Sequence, residues 1–295
     1  MNIKENDFSI LEGMIDIHIH SGPDIFPRLM DDIDLALDAQ KCGMMGILIK
    51  NHATTTADRA QIATKVTGFQ VYGGLALNNY VGGINVDAVK ASLMMGAKQI
   101  WMPTMHSREY LKHKSHVPMF AKLLSDDEKP IYLIDENGDL KKEVYDVLDL
   151  MSDYDVVLGT GHISFEEAIL VTKAAKKRGI DKIIVTHPLA SFVNYSYEQM
   201  KEILNAGAIF LEHVYNDTTP QVADPINVSV IGDAIKKIGS DNCLMSTDTG
   251  QVINKKPTIM LRKYVGEMIE YGFSMEEISV MTKKNPMYLL ASKKA

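Results

Sequence analysis

The sequence predicts an α/β protein, a closed (β/α)8 barrel of the TIM type formed by one domain over residues 1–295. Three observations carry this. Eight short apolar runs alternate with amphipathic stretches along the chain. The runs are apolar on both faces and flanked by Gly or Pro, as in a parallel sheet covered by helices. The length of 295 residues suits one barrel of about 250 residues with extensions. No Gly-x-Gly-x-x-Gly follows the first run, which counts against an open dinucleotide-binding sheet.

The first strand is Ile15-Asp16-Ile17-His18-Ile19-His20, stopped by Gly22-Pro23. A helix with an acidic first turn follows over Asp31–Cys42 and ends at Gly43. Strand two is Met44–His52, with a helix over Thr54–Val66. Strand three is Phe69–Leu77, with a helix over Val86–Met95. Strand four is Lys98–Thr104. The alternation then lapses, and residues 107–140 read as an insertion, a lid carrying His106, His113 and His116 at its start. Within it, Asn137-Gly138 is a hairpin signal. A helix over Lys141–Met151 returns the chain to strand five, Val156–His162. Its helix, Ser164–Lys177, has a Ser-x-x-Glu capping signature. Strands six, seven and eight are Lys182–Pro188, Ala208–His213 and Asn242–Asp248. Helices are expected near 196–205, 225–238, 258–271 and 274–283, with a short final turn at Pro286. Met44, Met45, Met94 and Met95 read as core filling.

Composition narrows the class of function. Apolar residues make up 46% of the chain and the formal net charge is −7, with no basic patch. Nucleic acid is therefore not an expected partner. No apolar run reaches the ~18 residues of a membrane span, and Met1–Asp7 lacks the apolar core of a signal peptide. Cys42 and Cys243, far apart in apolar segments, read as free thiols of a reducing compartment, the cytoplasm. The expected partner is a small-molecule substrate, and homo-oligomerisation is compatible with the sequence.

The chemistry-bearing residues gather at strand ends. His18 and His20 end strand one, Lys50 and His52 strand two, His162 strand five, His187 strand six and Asp248 strand eight. In a parallel barrel these ends meet on one rim, where active sites form. Period two places Asp16, His18 and His20 on one face, and likewise Leu158, Thr160 and His162, or Ile183, Val185 and His187. Each residue alone is an ordinary polar strand end; their correlation across five strands is what suggests a ring of ligands. Imidazoles with a carboxylate suit zinc or a similar transition metal.

This combination resembles the amidohydrolase superfamily of metal-dependent hydrolases: His-x-His on strand one, His on strands five and six, and Asp on strand eight. The resemblance runs from Asp16 to about Pro286. It implies that His18, His20 and Asp248 hold a first divalent ion. His162 and His187 then hold a second, or His162 joins a single site while His187 acts on the substrate. Zinc is the expected ion, with manganese or iron as alternatives. Strand four, Ile100–Thr104, lacks the Lys or Glu that bridges two ions in such proteins. Lys50 would take that place as a carboxylated bridge, or would bind an anionic substrate group at a one-metal site. Arg28, His52 and Asn78 are candidate substrate contacts. The implied reaction is hydrolysis of a C–N bond of amide or lactam type, or of an ester, with Asp248 as general base. A one-metal non-oxidative decarboxylase is the alternative on the same scaffold, and a non-catalytic binding barrel the second. A phosphoesterase of the polymerase-and-histidinol-phosphatase type ranks lower, because the late motif is Asp248-Thr249-Gly250 rather than Asp-x-His.

Overall fold

A computed structural model describes residues 7–116, 118–125 and 127–291. The strands are β1 (Ile15–His20), β2 (Gly46–Lys50), β3 (Val71–Ala76), β4 (Gln99–Trp101), β5 (Val157–Gly159), β6 (Ile183–Thr186), β7 (Phe210–Val214) and β8 (Cys243–Ser246). They pair in parallel in chain order. Ile19 bridges Thr249, Asp248 N–H donates to His18 O (2.7 Å) and His20 N–H to Thr249 O (2.8 Å), so the strand-eight end closes the barrel onto β1.

The outer helices are α1 (Asp32–Lys41), α2 (Ala57–Thr67), α3 (Val86–Met94), α4 (Arg108–Lys112), α5 (Pro118–Leu123), α6 (Lys142–Ser152), α7 (Phe165–Lys177), α8 (Tyr197–Ala206), α9 (Val228–Ile238), α10 (Pro257–Tyr271), α11 (Met275–Ser279) and α12 (Asn285–Leu290). Their starts follow from local chemistry. Asp31 caps α1 by accepting from Asp34 N–H, and Ser164 with Glu167 forms the capping box of α7. The lumen is filled by side chains from every strand, among them Ile17, Leu48, Trp101, Val157, Ile184 and Leu244, with Leu289 and Leu290 of α12 against them. None of the described helices is long and apolar enough to cross a membrane.

The break in alternation between β4 and β5 holds α4, α5 and a turn at Asp135–Asp139, where Ile134 and Leu140 form a single antiparallel bridge. His106 is not at the surface. It is fully buried, with Nε2 3.1 Å from Glu128 Oε1 and its ring edge-on to Tyr80. His113 lies near Glu109 at the surface, and the side chain of His116 lies outside the described residues. The methionine expectation holds for Met44 and in part for Met95, which is half-buried and packs against the core. Met45 and Met94 are exposed, because they stand on the solvent side of a turn and of α3.

Candidate active site

The rim at the strand C-termini holds a closed circle of five imidazoles. Successive ring centroids lie 5.7 Å apart for His18–His20, 5.0 Å for His20–His52, 6.1 Å for His52–His162, 4.8 Å for His162–His187 and 5.9 Å for His187–His18. All five are buried.

Several routes aim these rings inward. In β1 the pairing with β2 shifts register between Asp16 and Ile19. Ile17 packs in the lumen while Ile19, of the same parity, packs against the helices. The bulge thus turns His18 and His20 inward and leaves Asp16 off their face. Asp16 instead accepts backbone N–H groups of His18 and Thr247. Burial, against these bonds, still raises its pKa to about 7. In β5 and β6 the lumen residues are Val157 and Ile184, so period two points the wrong way at His162 and His187. Their orientation comes from turns: Gly161 has φ 63° and His187 itself φ 23°. A Cβ at Gly161 would sit 2.3 Å from Met102 O. Asp248 also has a left-handed backbone, φ 51°. Such non-glycine conformations cost about 1 kcal/mol or more and collect at functional sites.

His18, His20 and Asp248 offer ligand atoms that lie within 4.8 Å of one another. His18 Nε2 and His20 Nε2 are 3.1 and 3.0 Å from Asp248 Oδ1. Lys50 Nζ is 2.9 Å from His18 Nε2 and lies 5.3 Å over the Trp101 ring, which floors the site. Trp101 has its room because β3 and β5 carry Gly74 and Gly159; a Cβ at either would approach the indole to 2.6 Å. Behind His18, Glu212 Oε1 faces Nδ1 at 3.2 Å and accepts from Ser246 Oγ at 3.1 Å. A carboxylate on the far nitrogen of a ligating histidine orients the ring and raises its basicity. Behind His20 stands a cation instead: Arg28 Nη2 is 3.1 Å from His20 Nδ1, and Arg28 Nε donates to Asp24 (2.7 Å).

The electrostatics follow from this placement. Burial opposes a proton on His18, but Asp248 and Glu212 outweigh burial and Lys50, and its pKa rises to about 9. Burial, with Arg28, keeps His20 well below its ordinary value; burial likewise holds down His52 and His162, and takes His187 to about 3. Burial pulls Lys50 down to about 8 against Asp248 and Glu212. Burial disfavours charge on Asp248, yet His18 and His20 hold it well below the carboxylate range. The donor set fits a divalent ion: two imidazole nitrogens and a carboxylate converge, and buried ring nitrogens of His162 and His187 have no hydrogen-bond partner among the described residues.

The profile of a family of unknown function, DUF6282, matches residues 13–211. The chain belongs to that family. Its match runs from ahead of the His-x-His strand to within β7. No curated protein matches the sequence significantly. Solved structures share the fold. An amidohydrolase from Pseudomonas aeruginosa is 10% identical, with TM-score 0.64, over 97% of this chain and 98% of its own. The probable dipeptidase PvdM from the same organism is 13% identical, with TM-score 0.63, over 98% and 97%. An organophosphorus hydrolase from Deinococcus radiodurans is 13% identical, with TM-score 0.59, over 96% and 94%. At these identities the likeness is one of fold, the same barrel that the motif pattern suggested.

The remaining sequence candidates divide. His52 lines the pocket and has Nδ1 2.8 Å from Thr104 Oγ1. Asn78 does not reach it. Its amide donates to His52 O (2.9 Å) and Thr104 Oγ1 (2.6 Å) and accepts from the N–H groups of Thr104 and His106, so it braces three loops and has nothing left for a substrate. Arg28 is likewise used by Asp24 and His20 and is not in the pocket lining. Three residues of the site were not foreseen, one behind His18 and two in the pocket lining. Glu212 alternates with His213, and only the fold shows which faces in. Asp217 and Gln221, on the loop after β7, line the pocket. Burial and the neighbouring Asp248 push the Asp217 carboxyl well above its ordinary range. Their position just past a strand end was the available signal.

Proposed function

We propose that this chain is a metal-dependent hydrolase of small molecules, and that it cleaves a C–N bond of amide or lactam type, with an ester as the other candidate. The observation that carries the reading is the convergence of His18 Nε2, His20 Nε2 and Asp248 Oδ1 at the barrel mouth, with Glu212 behind His18. A divalent ion held by these three residues, zinc before manganese or iron, supplies Lewis acidity and an acidified water at neutral pH. Asp248, fully ionised, takes the proton of the attacking water on the carboxylate oxygen away from the two histidines and delivers it to the leaving nitrogen or oxygen. His187, neutral because of its burial, donates a hydrogen bond to the substrate's carbonyl oxygen. Phe192 and Tyr110 wall the pocket beside His162 and keep bulk water from it. In a two-ion form, a carboxylated Lys50, whose ammonium burial lowers to about 8, would join His162 and His187 around the second ion, and His187 would then be a ligand instead of the carbonyl donor. Free Cys42 and Cys243 support a cytoplasmic setting.

The single three-residue ligand cluster among the described residues also suits a one-metal decarboxylase. That reading loses one of its two carboxylate anchors, because Arg28 is turned to Asp24 and His20 and does not line the pocket, while Lys50 does. The test is metal content by elemental analysis with an amide and ester hydrolysis screen. One or two ions per chain, and hydrolysis lost in Asp248→Asn protein that still holds metal, are expected. A metal-free chain after purification without chelators, or full hydrolysis in Asp248→Asn, refutes the proposal.

A further inference from the structure

Imidazoles apart, most polar side chains of the pocket are already committed. Lys50 contacts His18. Gln251 donates to Asp248 O (2.9 Å) and accepts from Asn254, whose amide also donates to Asn216 Oδ1 (3.2 Å). This chain of amides ties the loop after β8 to the loop after β7 and engages the side chains of Gln251 and, through Oδ1, Asn216. Two further groups carry no side-chain hydrogen bond among the described residues. The carboxyl of Asp217 and the amide of Gln221 are 7% and 6% exposed, line the pocket, and have no side-chain partner among the described residues. A buried polar group without a partner costs about 1–3 kcal/mol, more when it carries charge. Such a cost is relieved when a bound ligand supplies the missing partner. Here the group is a carboxyl, whose ionised, accepting form is favoured by a bound cation or N–H donor and opposed by a bound carboxylate or phosphate. Phe192 and Val222 beside them offer an apolar surface for the rest of the molecule.

We propose that Asp217 and Gln221 form the substrate-recognition point, and that it selects substrates bearing an N–H donor, a cationic amine or an amide N–H, over acidic ones. This deepens the hydrolase reading and rests on it for the identity of the pocket as a catalytic one. Asp217 is a specificity-determining residue that binds the ligand directly, and Gln221 supplies a second hydrogen bond.

Benzylammonium and benzoate serve as matched probes, titrated by calorimetry against the metal-loaded protein and against protein stripped of metal. In Asp217→Asn, benzylammonium affinity falls at least tenfold while benzoate affinity stays the same or rises. Asp217→Glu, which keeps the carboxyl, retains most of the amine affinity, and Gln221→Leu loses about threefold. These last two variants carry the test should Asp217→Asn fail to fold. Undetectable benzylammonium binding, or variants that shift both probes alike or neither, overturn the assignment. Amine binding to the carboxyl needs no metal. A wild-type chain that binds no metal but still shows the Asp217-dependent amine preference therefore refutes the hydrolase reading and leaves this one intact.

Discussion

Glu212→Gln separates a ligand-supporting carboxylate from a structural one. The replacement keeps shape, and its amide oxygen can still accept from His18 Nδ1 and Ser246 Oγ, which lie 3.2 and 3.1 Å from the present oxygen. What is lost is the charge. Removing such a partner lowers metal affinity by about 10–100-fold, or about 1.4–2.7 kcal/mol at 1.4 kcal/mol per decade. The metal-free protein responds much less. Glu212 is 0% exposed and its second oxygen has no hydrogen-bond partner among the described residues. Replacing that charge by an amide removes one of the two carboxylates that keep His18 protonated, with Asp248 still beside it, and lowers apo stability by about 1 kcal/mol. Competition with a chromophoric chelator gives the zinc affinity, and urea denaturation of stripped protein gives the stability. Zinc affinity within twofold of wild type refutes the assignment. A fall in apo stability beyond ~2 kcal/mol, with affinity unchanged, marks Glu212 as structural only.

Lys50→Met is expected to fold with equal or greater apo stability, since a buried cation gives way to an apolar chain of similar length, while hydrolysis falls at least ~100-fold; calorimetry and a rate assay check it, and unimpaired turnover contradicts a role for Lys50. His213, fully buried on the outer side of β7 with neither ring nitrogen partnered among the described residues, has its pKa lowered by burial from 6.5 to about 4. Between those values the unfolded chain binds a proton that the folded chain does not, so stability is lost as pH falls through the window, by about 2 kcal/mol at pH 5 relative to pH 7.5. Denaturation at the two pH values should therefore show wild type losing about 2 kcal/mol more than His213→Leu; equal losses contradict it. Gly159→Ala drives a Cβ to 2.6 Å from Trp101 Cδ1 and should cost about 1–3 kcal/mol in urea, because the fully buried indole cannot yield; a neutral result means that the floor of the site is loosely packed.

The barrel was legible because its evidence is redundant. Eight apolar runs, their glycine and proline stops and the acidic helix starts all point one way, and errors of a residue or two at strand ends leave the topology intact. The rim residues were legible for the same reason, since any polar side chain at a strand's C-terminal end reaches one mouth. Side-chain direction was not. A register shift inverts β1 after Ile17, and a turn rather than the pleat aims His162 and His187. Both depend on how strands dock, which alternation within one segment does not encode. Asn78 and Arg28 show the converse error. Polar residues near a site resemble substrate contacts in sequence, but the hydrogen-bonding capacity of Asn78 is consumed by neighbouring loops, and Arg28 turns to Asp24 and His20 outside the pocket lining. Glu212 and Asp217 are single acids among 38, distinguished only by what surrounds them.

The seam between β1 and the end of β8 has a consequence for how the molecule comes apart. The residues that converge at the mouth come from opposite ends of the chain, and their carriers are stitched by two backbone hydrogen bonds, Asp248 N–H to His18 O and His20 N–H to Thr249 O. This pairing spans some 230 positions of sequence, so it belongs to the last, entropically dearest contacts that a folding chain forms. An ion seated on His18, His20 and Asp248 would act as a clasp across that seam. It binds only the fully wound molecule, and so it would add to stability in proportion to the logarithm of its concentration. Chelation would loosen the barrel at its first and last strands together, making the chain termini sensitive reporters of what occupies the centre.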